Sequence, residues 1–253
     1  MSESGRYLYA ITRHITRADL AEVPALSGGE LEVVEHRDLC AVVSTVPLEE
    51  YGEEGLRANL ERLEWLEEVA RRHDAVIHAV AAHGPTAPLR LATICLDDAG
   101  VRRRLDEWYY ALLQVLERVE GRMEWSVKVM APPLERVLTP ATSSNSGGAD
   151  YLRRKKDQQQ ARAAREDEVV GVAEQVHDVL SGLSVASRRL PAQDPRLTGH
   201  EGTMVLNGAY LVDASRGEAF AGEVQRCALD NPGLDIEWGG PWPPYSFAML
   251  EQR

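Results

Sequence analysis

Three histidines, His73, His78 and His83, recur at intervals of five residues and are the first candidates for chemistry in this chain. Imidazole side chains serve as metal ligands and as general bases. On a helix, however, five residues turn the side chain through roughly 140°, so the three rings would lie on different faces. The spacing therefore favours histidines in packed or solvated positions over a metal site.

Other chemical signatures are incomplete. His200-Glu201 begins like the zinc protease motif H-E-x-x-H, but Met204 stands where the second histidine is needed. Asp97-Asp98 resembles a carboxylate pair, and a place at the start of a helix explains both acids. The chain contains no G-x-G-x-x-G, no G-x-x-x-x-G-K-[ST] and no G-x-S-x-G. We expect no catalytic residue, no bound cofactor and no metal.

Composition excludes further classes. The chain has 253 residues with 40 acids against 28 bases, a formal net charge of −12 that disfavours nucleic acid as the main partner. Its three cysteines are far apart in sequence and indicate neither a disulfide framework nor a metal knuckle. The least charged stretch, 75–89, contains histidines and a Gly-Pro pair and is too short to span a bilayer. With no secretory segment at its start, the chain is expected to be soluble and intracellular.

The elements of the first half follow from hydrophobic periodicity and breaker residues. His36 to Asp38 are expected to form a hairpin turn, and Gly84-Pro85 and Gly121 are expected to end helices. The predicted strands are 6–12, 31–35, 39–46 and 88–96, and the predicted helices are 53–82 and 97–119.

The second half predicts the order β-α-β-β-α-β, the pattern of a ferredoxin-like domain. Its predicted strands are 123–129, 183–190, 203–213 and 234–238, with helices at 149–180 and from a capping box at Ser215 and Glu218. In that topology the last strand lies beside the first, so Lys128 is expected near Asp235 or Glu237. The fold class is therefore α+β, with a first domain over 1–121, a ferredoxin-like domain over 122–240 and a tail over 241–253.

Segments along nearly the whole chain resemble a known family, the gas vesicle accessory proteins F and L. The resemblance begins at R-Y-L-Y-A-I (6–11) and ends at G-P-W-P-P-Y-S-F (240–247). The segments between them are P-L-R-L-A-T (88–93), G-R-M-E-W-S-V-K-V (121–129), G-G-A-D-Y-L-R-R-K-K (147–156) and G-A-Y-L-V-D (208–213). One departure is Leu91, where the family often has phenylalanine.

The resemblance implies a cytoplasmic accessory protein of gas vesicle formation, without active-site residues. Its implied partners are the hydrophobic gas vesicle shell protein and other gas vesicle accessory proteins. Three functions stay open: binding of the shell subunit, an adaptor that joins other accessory proteins, and an enzyme with an unrecognised site. An unpaired strand edge with exposed apolar surface would favour the first, and salt-sensitive polar surfaces would favour the second.

The tail combines three prolines with three aromatic residues. The six residues are Pro241, Trp242, Pro243, Pro244, Tyr245 and Phe247. Proline restricts the free chain, so docking such a tail costs less entropy than docking a flexible one. We expect residues 241–250 to fold back as a clasp that packs the three aromatics at the domain junction. The alternative is an exposed P-x-x-P ligand, which is disfavoured because no lysine or arginine follows until Arg253.

Five charged residues are candidates for a partner-facing surface: Arg90, Glu124, Lys128, Arg153 and Arg154. The cluster from Arg153 to Lys156 has little local compensation, which fits an acidic protein partner or an ordinary exposed helix end. Arg102 to Arg104 lie among acids, which is typical of a solvated helix face.

Overall fold

The structure is a computed structural model that describes residues 3–132, 148–193 and 202–248. It is a mixed helix and sheet fold with two antiparallel sheets. The chain divides into two compact units. Unit 1 comprises Met1–Glu124 and Trp242–Arg253, and unit 2 comprises Trp125–Pro241.

Unit 1 is built on a five-stranded sheet with the order β2-β3-β1-β4, in which β5 also pairs with β1. Its strands are β1 (Ser4–Thr12), β2 (Leu31–His36), β3 (Leu39–Pro47), β4 (Thr86–Pro88) and β5 (Ile94–Cys95). The first predicted strand, 6–12, is present as the central strand β1, which pairs with β3 on one side and with β4 and β5 on the other. The predicted hairpin between β2 and β3 is also present, with Arg37 in the left-handed region at φ 57°.

The helices of unit 1 are α1 (Leu48–Tyr51), α2 (Glu53–Asn59), α3 (Leu63–Ala81), α4 (Asp98–Glu107) and α5 (Tyr109–Val119). The prediction of one continuous helix over 53–82 is wrong, because the chain breaks between α2 and α3 and Arg62 adopts an extended conformation. Side-chain hydrogen bonds hold that break, among them Trp65 Nε1 donating to Glu50 Oε1 at 2.6 Å. The expected helix start at Asp97 is confirmed, since its carboxylate accepts from the Gly100 amide at 2.6 Å.

Unit 2 contains a four-stranded sheet with the order β7-β8-β6-β9. Its strands are β6 (Arg122–Ala131), β7 (Ala186–Arg189), β8 (Thr203–Asp213) and β9 (Asp235–Trp242), and its helices are α6 (Gly148–Leu183) and α7 (Gly217–Asp230). The first and last strands, β6 and β9, are neighbours, as the pattern predicts. The β9 strand runs through Pro241 to Trp242, so regular secondary structure extends into the segment predicted as the tail. An edge strand tolerates proline because the missing amide is not needed on its outer side.

The core of unit 2 joins one face of the sheet to the two helices. Its buried residues include Trp125, Val127, Val129, Val176, Leu180, Tyr210, Phe220, Val224 and Cys227. The last three form the buried stripe of α7. The predicted capping box is wrong, because the helix starts at Gly217 after a short 3-10 turn and Arg216 occupies the N-cap without a side-chain bond. Of the helices described, none has the length and apolar character needed to cross a membrane.

Candidate functional site

A buried polar network lies between β1 and α3 in unit 1. The Tyr7 hydroxyl lies 3.0 Å from Nδ1 of His73, and the other ring nitrogen of His73 lies 3.1 Å from the carbonyl oxygen of Leu89. A carbonyl only accepts, so Nε2–H donates to Leu89 and the neutral ring accepts the Tyr7 proton at Nδ1. The Ala92 amide donates to the same tyrosine oxygen at 3.1 Å. The network therefore ties the segment around Ala92 to the first strand and to α3.

Burial keeps this network uncharged. It lowers the pKa of His73 from 6.5 to about 4, although the bond to Leu89 favours the protonated ring. Burial likewise raises the pKa of Tyr7 far above its ordinary value of 10.0. Neither side chain is therefore poised to exchange a proton near neutral pH, so their role is to position the backbone.

Tyr9 forms a second arm of this network on the same face of β1. Its hydroxyl accepts from the Leu26 amide at 3.0 Å and lies 2.8 Å from Oγ of Ser44. The Tyr9 ring stacks on the His73 ring with centroids 5.7 Å apart. Two hydrogen-bonded tyrosines therefore anchor loops on both sides of the first strand.

Residues 89–93 form a fixed loop between β4 and β5, and the prediction of a continuous strand over 88–96 is wrong. Ala92 lies in the left-handed region at φ 62°, and Thr93 donates from both its amide and its hydroxyl to the carbonyl of Arg90. Backbone hydrogen bonds flank the loop on both sides. The Leu89 amide donates to the Tyr9 carbonyl oxygen and the Leu8 amide donates to the Thr93 carbonyl oxygen, each at 2.9 Å. The strand breaks because the Ala92 amide donates to the Tyr7 hydroxyl and not to a backbone carbonyl of a neighbouring strand.

The loop presents Arg90 to solvent. Among the described residues, the Arg90 guanidinium forms no hydrogen bond or ion pair. The same loop turns Leu91 inward, where it packs against the apolar core of unit 1. The loop therefore presents a positive charge from a backbone with little freedom.

The tail lies against unit 1 through a short helix, α8 (Tyr245–Ala248), that packs on α5 and β4. Phe247 is 2% exposed, and the Arg118 side chain donates to its carbonyl oxygen at 3.5 Å. The expectation that Trp242 is packed away is wrong, since it is 45% exposed; its ring lies at 87° to the His78 ring, with the centroids 5.9 Å apart. Its position on the edge strand β9 explains this exposure.

Two carboxylates hold the tail by hydrogen bonds. The Tyr245 hydroxyl donates to Oδ1 of Asp74 at 2.6 Å, and Asp74 also lies 3.2 Å from the His78 ring. Glu124 accepts from the Ser246 amide at 2.7 Å and from its hydroxyl at 2.6 Å. Burial and the Asp74 carboxylate raise the pKa of Tyr245, so its hydroxyl stays a donor.

The assignment of Glu124 to a partner-facing surface is therefore corrected. Its side chain is 8% exposed, and its carboxylate oxygens accept the two bonds from Ser246. A buried carboxylate needs such donors, because an unpaired one would carry a large desolvation cost. Glu124 is a tail anchor within unit 1.

The other candidate residues lie elsewhere. Lys128 is half-buried on β6, and Arg153 is exposed on α6. The side chain of Arg154 lies outside the described residues, as do His200 and Glu201. The expected closeness of Lys128 to Asp235 or Glu237 stays a prediction.

The three histidines of the first candidate motif occupy different environments, as the helical spacing predicts. His73 is buried in the network, His78 lies beside Asp74, and His83 is exposed beyond the end of α3. Within the described part of the chain, no group of three or more His, Cys, Asp or Glu side chains is arranged to hold a metal ion.

Sequence reasoning did not find the network itself. Signals for it existed: Tyr7 and Tyr9 are two residues apart on one strand, which puts both on one face. His73 also falls four residues from both Val69 and Ile77, on the buried stripe of α3. The sequence could not show that the loop at residues 89–93 and the tail helix α8, which are far apart in the chain, both lie beside β4.

Comparisons with known proteins agree along the chain. Residues 5–249 match the family described as Gas vesicle synthesis protein GvpL/GvpF. Gas vesicle protein L of Streptomyces sp. (strain CB03234) is 39% identical over 98% of this chain and 94% of its own length. Gas vesicle protein F of the same strain is 25% identical over 69% of this chain and 75% of its own length.

Solved structures share the fold. The gas vesicle protein GvpF from Anabaena sp. PCC7120 superposes with a TM-score of 0.71 at 18% identity, covering 98% of both chains. GvpF from Microcystis aeruginosa gives a TM-score of 0.69 at 16% identity, covering 97% of this chain and 99% of its own. The match over residues 5–249 and the 39% identical relative establish that the chain belongs to the GvpL/GvpF family of gas vesicle synthesis proteins.

Proposed function

We propose that this chain is a non-enzymatic accessory protein of gas vesicle assembly that binds the hydrophobic shell subunit in the cytoplasm. Family membership supports the accessory role, and the family is not known for enzymes. The identity of 39% to a protein L, against 25% to a protein F of the same strain, favours an L-type role. The neutral tyrosine–histidine network fits a scaffold better than a catalytic centre.

The observation that carries shell binding is β9, one of the two edge strands in the described sheet of unit 2. Among the described strands, β9 pairs only with β6, which leaves its outer edge without a described neighbour. Trp238 on this strand is 43% exposed, and Gly239 and Gly240 follow it without side chains. An extended segment can add to such an edge through main-chain hydrogen bonds, while an aromatic side chain supplies apolar contact. A hydrophobic subunit awaiting assembly needs a cover of this kind.

The same proposal includes the ferredoxin-like assignment of unit 2. The order β7-β8-β6-β9 has the last strand beside the first and the two middle strands paired on the other side. This order supports the β-α-β-β-α-β interpretation. It also explains why β9, as the last strand, forms an edge.

We further propose that the tail acts as a clasp on unit 1 and not as a free proline-rich ligand. The bonds of Tyr245 to Asp74 and of Ser246 to Glu124 support this, together with burial of Phe247. The clasp then rests on Tyr245, Ser246 and Phe247, without a buried Trp242. The Pro243-Pro244 pair restricts the free tail and lowers the entropy lost on docking.

Site-specific photocrosslinking tests shell binding. A benzoylphenylalanine placed at Trp238 should crosslink to the co-expressed shell subunit, whereas one placed at Tyr110, which is 78% exposed in unit 1, should not. The change Trp238→Ser should weaken co-purification of the subunit, and Tyr110→Ser serves as the matched control. Crosslinking only at Tyr110, or at neither position, would contradict the β9 site.

The alternative is an adaptor that joins other accessory proteins without touching the shell. Arg90 favours this function, because a defined loop presents it without a partner among the described residues and an arginine fork suits a partner carboxylate. Pairwise binding to each accessory protein at low and high salt separates the two functions. In the adaptor case Arg90→Ala should weaken one pair and Arg103→Ala, also on an exposed arginine, should not.

A further inference from the structure

Two leucine side chains are exposed to solvent at the break between α2 and α3. Leu60 is 46% exposed and Leu63 is 76% exposed. They lie three residues apart in sequence, at the end of one helix and the start of the next. Exposed apolar side chains that occur together differ from the single ones scattered over most protein surfaces.

Hydrogen bonds hold the backbone that presents these leucines. The Arg62 amide donates to the Asn59 carbonyl at 2.9 Å, and the Asn59 side chain donates to the Glu50 carbonyl at 3.3 Å. The Trp65 indole donates to the Glu50 carboxylate at 2.6 Å. The break is therefore a defined turn, and the leucines are not exposed through fraying of a helix end.

The surface around the leucines is strongly acidic. Residues 49–68 contain eight glutamates and two arginines, so this short stretch carries half of the chain's net charge of −12. Arg57 is paired with Glu53 at 2.7 Å, and Arg62 donates to the side-chain oxygen of Asn59 at 3.2 Å. Glu61 and Glu64, on either side of Leu63, are exposed. A second copy of this chain would bring the same negative charge and is repelled.

We infer that this surface, the leucine corner of residues 59–64, binds a basic amphipathic helix of a partner protein. Leucine-type residues spaced one turn apart on that helix would cover Leu60 and Leu63. Lysines or arginines beside them would face Glu61 and Glu64 and speed encounter with this negative chain. This inference goes beyond the proposed function, because it needs no contact with the shell subunit and no part of β9.

The test uses a synthetic 18-residue helix-forming peptide with leucines on one face and lysines on the other. Its fluorescence anisotropy is titrated with the full-length protein. Leu60→Ser with Leu63→Ser should weaken binding at least tenfold, and Glu61→Gln with Glu64→Gln should weaken it several-fold and flatten the salt dependence. The control Glu117→Gln with Glu120→Gln removes two exposed charges of α5 and its end, and should leave binding unchanged.

Three results would overturn the inference. One is an unchanged affinity in the leucine variant, which would mean that charge alone attracts the peptide. Another is an equal loss of peptide affinity in the α5 control, which would mean that the net charge of the protein, and not the leucine corner, determines binding. The third is self-association of the unmodified protein that the leucine variant abolishes, which would make a second copy the occupant. Hydrogen exchange adds a direct readout, with slower exchange expected in residues 59–68 on peptide binding.

Discussion

The hydroxyl of Tyr245 donates a 2.6 Å hydrogen bond to the carboxylate of Asp74, which lies 171 residues earlier in the chain. This bond fixes the start of α8 against α3. The donor is half-buried, so removing the hydroxyl oxygen of Tyr245 tests this contact directly.

We predict that Tyr245→Phe lowers the free energy of unfolding of unit 1 by about 1 kcal/mol, because it removes the donor and keeps the ring. Urea unfolding measures this change, and faster hydrogen exchange in residues 243–248 would assign it to the tail. Tyr110→Phe, at a far more exposed tyrosine, is the matched control and should have no effect. Equal midpoints for both variants would contradict a stabilising role of the bond.

The two phenylalanines of the chain form a natural comparison, since each is buried in a different unit. Phe247→Ala should destabilise unit 1, and Phe220→Ala should destabilise unit 2, each by about 3–5 kcal/mol. Trp242→Ala should cost about 1 kcal/mol or less, because that ring is half-exposed. Calorimetry with exchange mapping checks which unit melts first. A large loss in Trp242→Ala with none in Phe247→Ala would reverse the assignment of the anchor.

Acid should destabilise unit 1 through His73. The pKa of the His73 ring is 6.5 in the unfolded chain and about 4 in the folded protein. Between these values the unfolded chain binds a proton at His73 and the folded protein does not. Stability should therefore be complete above pH 6.5 and fall towards pH 4, by roughly 3 kcal/mol in all. The variant His73→Phe should be less stable at neutral pH and should lack this part of the pH dependence. Urea midpoints of both proteins from pH 7 to 4 test it, and parallel curves would show that His73 is not responsible.

The loop at 89–93 offers a pair of changes with opposite signs. Tyr7→Phe removes the partner of the part-buried Ala92 amide and of Nδ1 of His73 and should cost about 1–3 kcal/mol. Ala92→Gly should be neutral or stabilising by up to about 1 kcal/mol, because glycine adopts the positive φ of 62° without strain. Thermal unfolding of both variants checks the signs. Destabilisation by Ala92→Gly would show that chain entropy outweighs the strain.

Local sequence patterns predicted the helices and strands that no distant side chain interrupts. The structure has a strand at Thr203–Asp213 and a long helix at Gly148–Leu183, where the sequence predicts a strand over 203–213 and a helix over 149–180. The errors occur where a distant side chain intervenes. Tyr7 takes the amide of Ala92 and ends a strand, and Trp65 binds Glu50 beside a helix break, so neither event has a local signal.

The candidate site was predictable only in part. The crowding of proline and aromatic residues predicted a docked tail with Tyr245 and Phe247 packed, but not the carboxylates of Asp74 and Glu124 that accept its hydrogen bonds. Glu124 sits in an alternating strand, where its position predicted a solvated face, and only the Ser246 bonds show why a carboxylate is buried there. Such a pairing depends on two segments 122 residues apart and leaves no trace in either one.

Because α8 completes the core of unit 1, that unit cannot finish folding when its own first 124 residues leave the ribosome. The 117 residues of Trp125–Pro241 must be translated before the tail exists, a delay of about 6 to 23 s at typical elongation rates. During that interval the apolar surface of α5 and β4 that packs against α8 is not yet covered by it. The last strand and helix thus set the order of maturation, with unit 2 able to fold first and unit 1 closing after it. A tag or truncation at the C-terminal end would act on the first unit of the protein, far from where it is placed in the sequence.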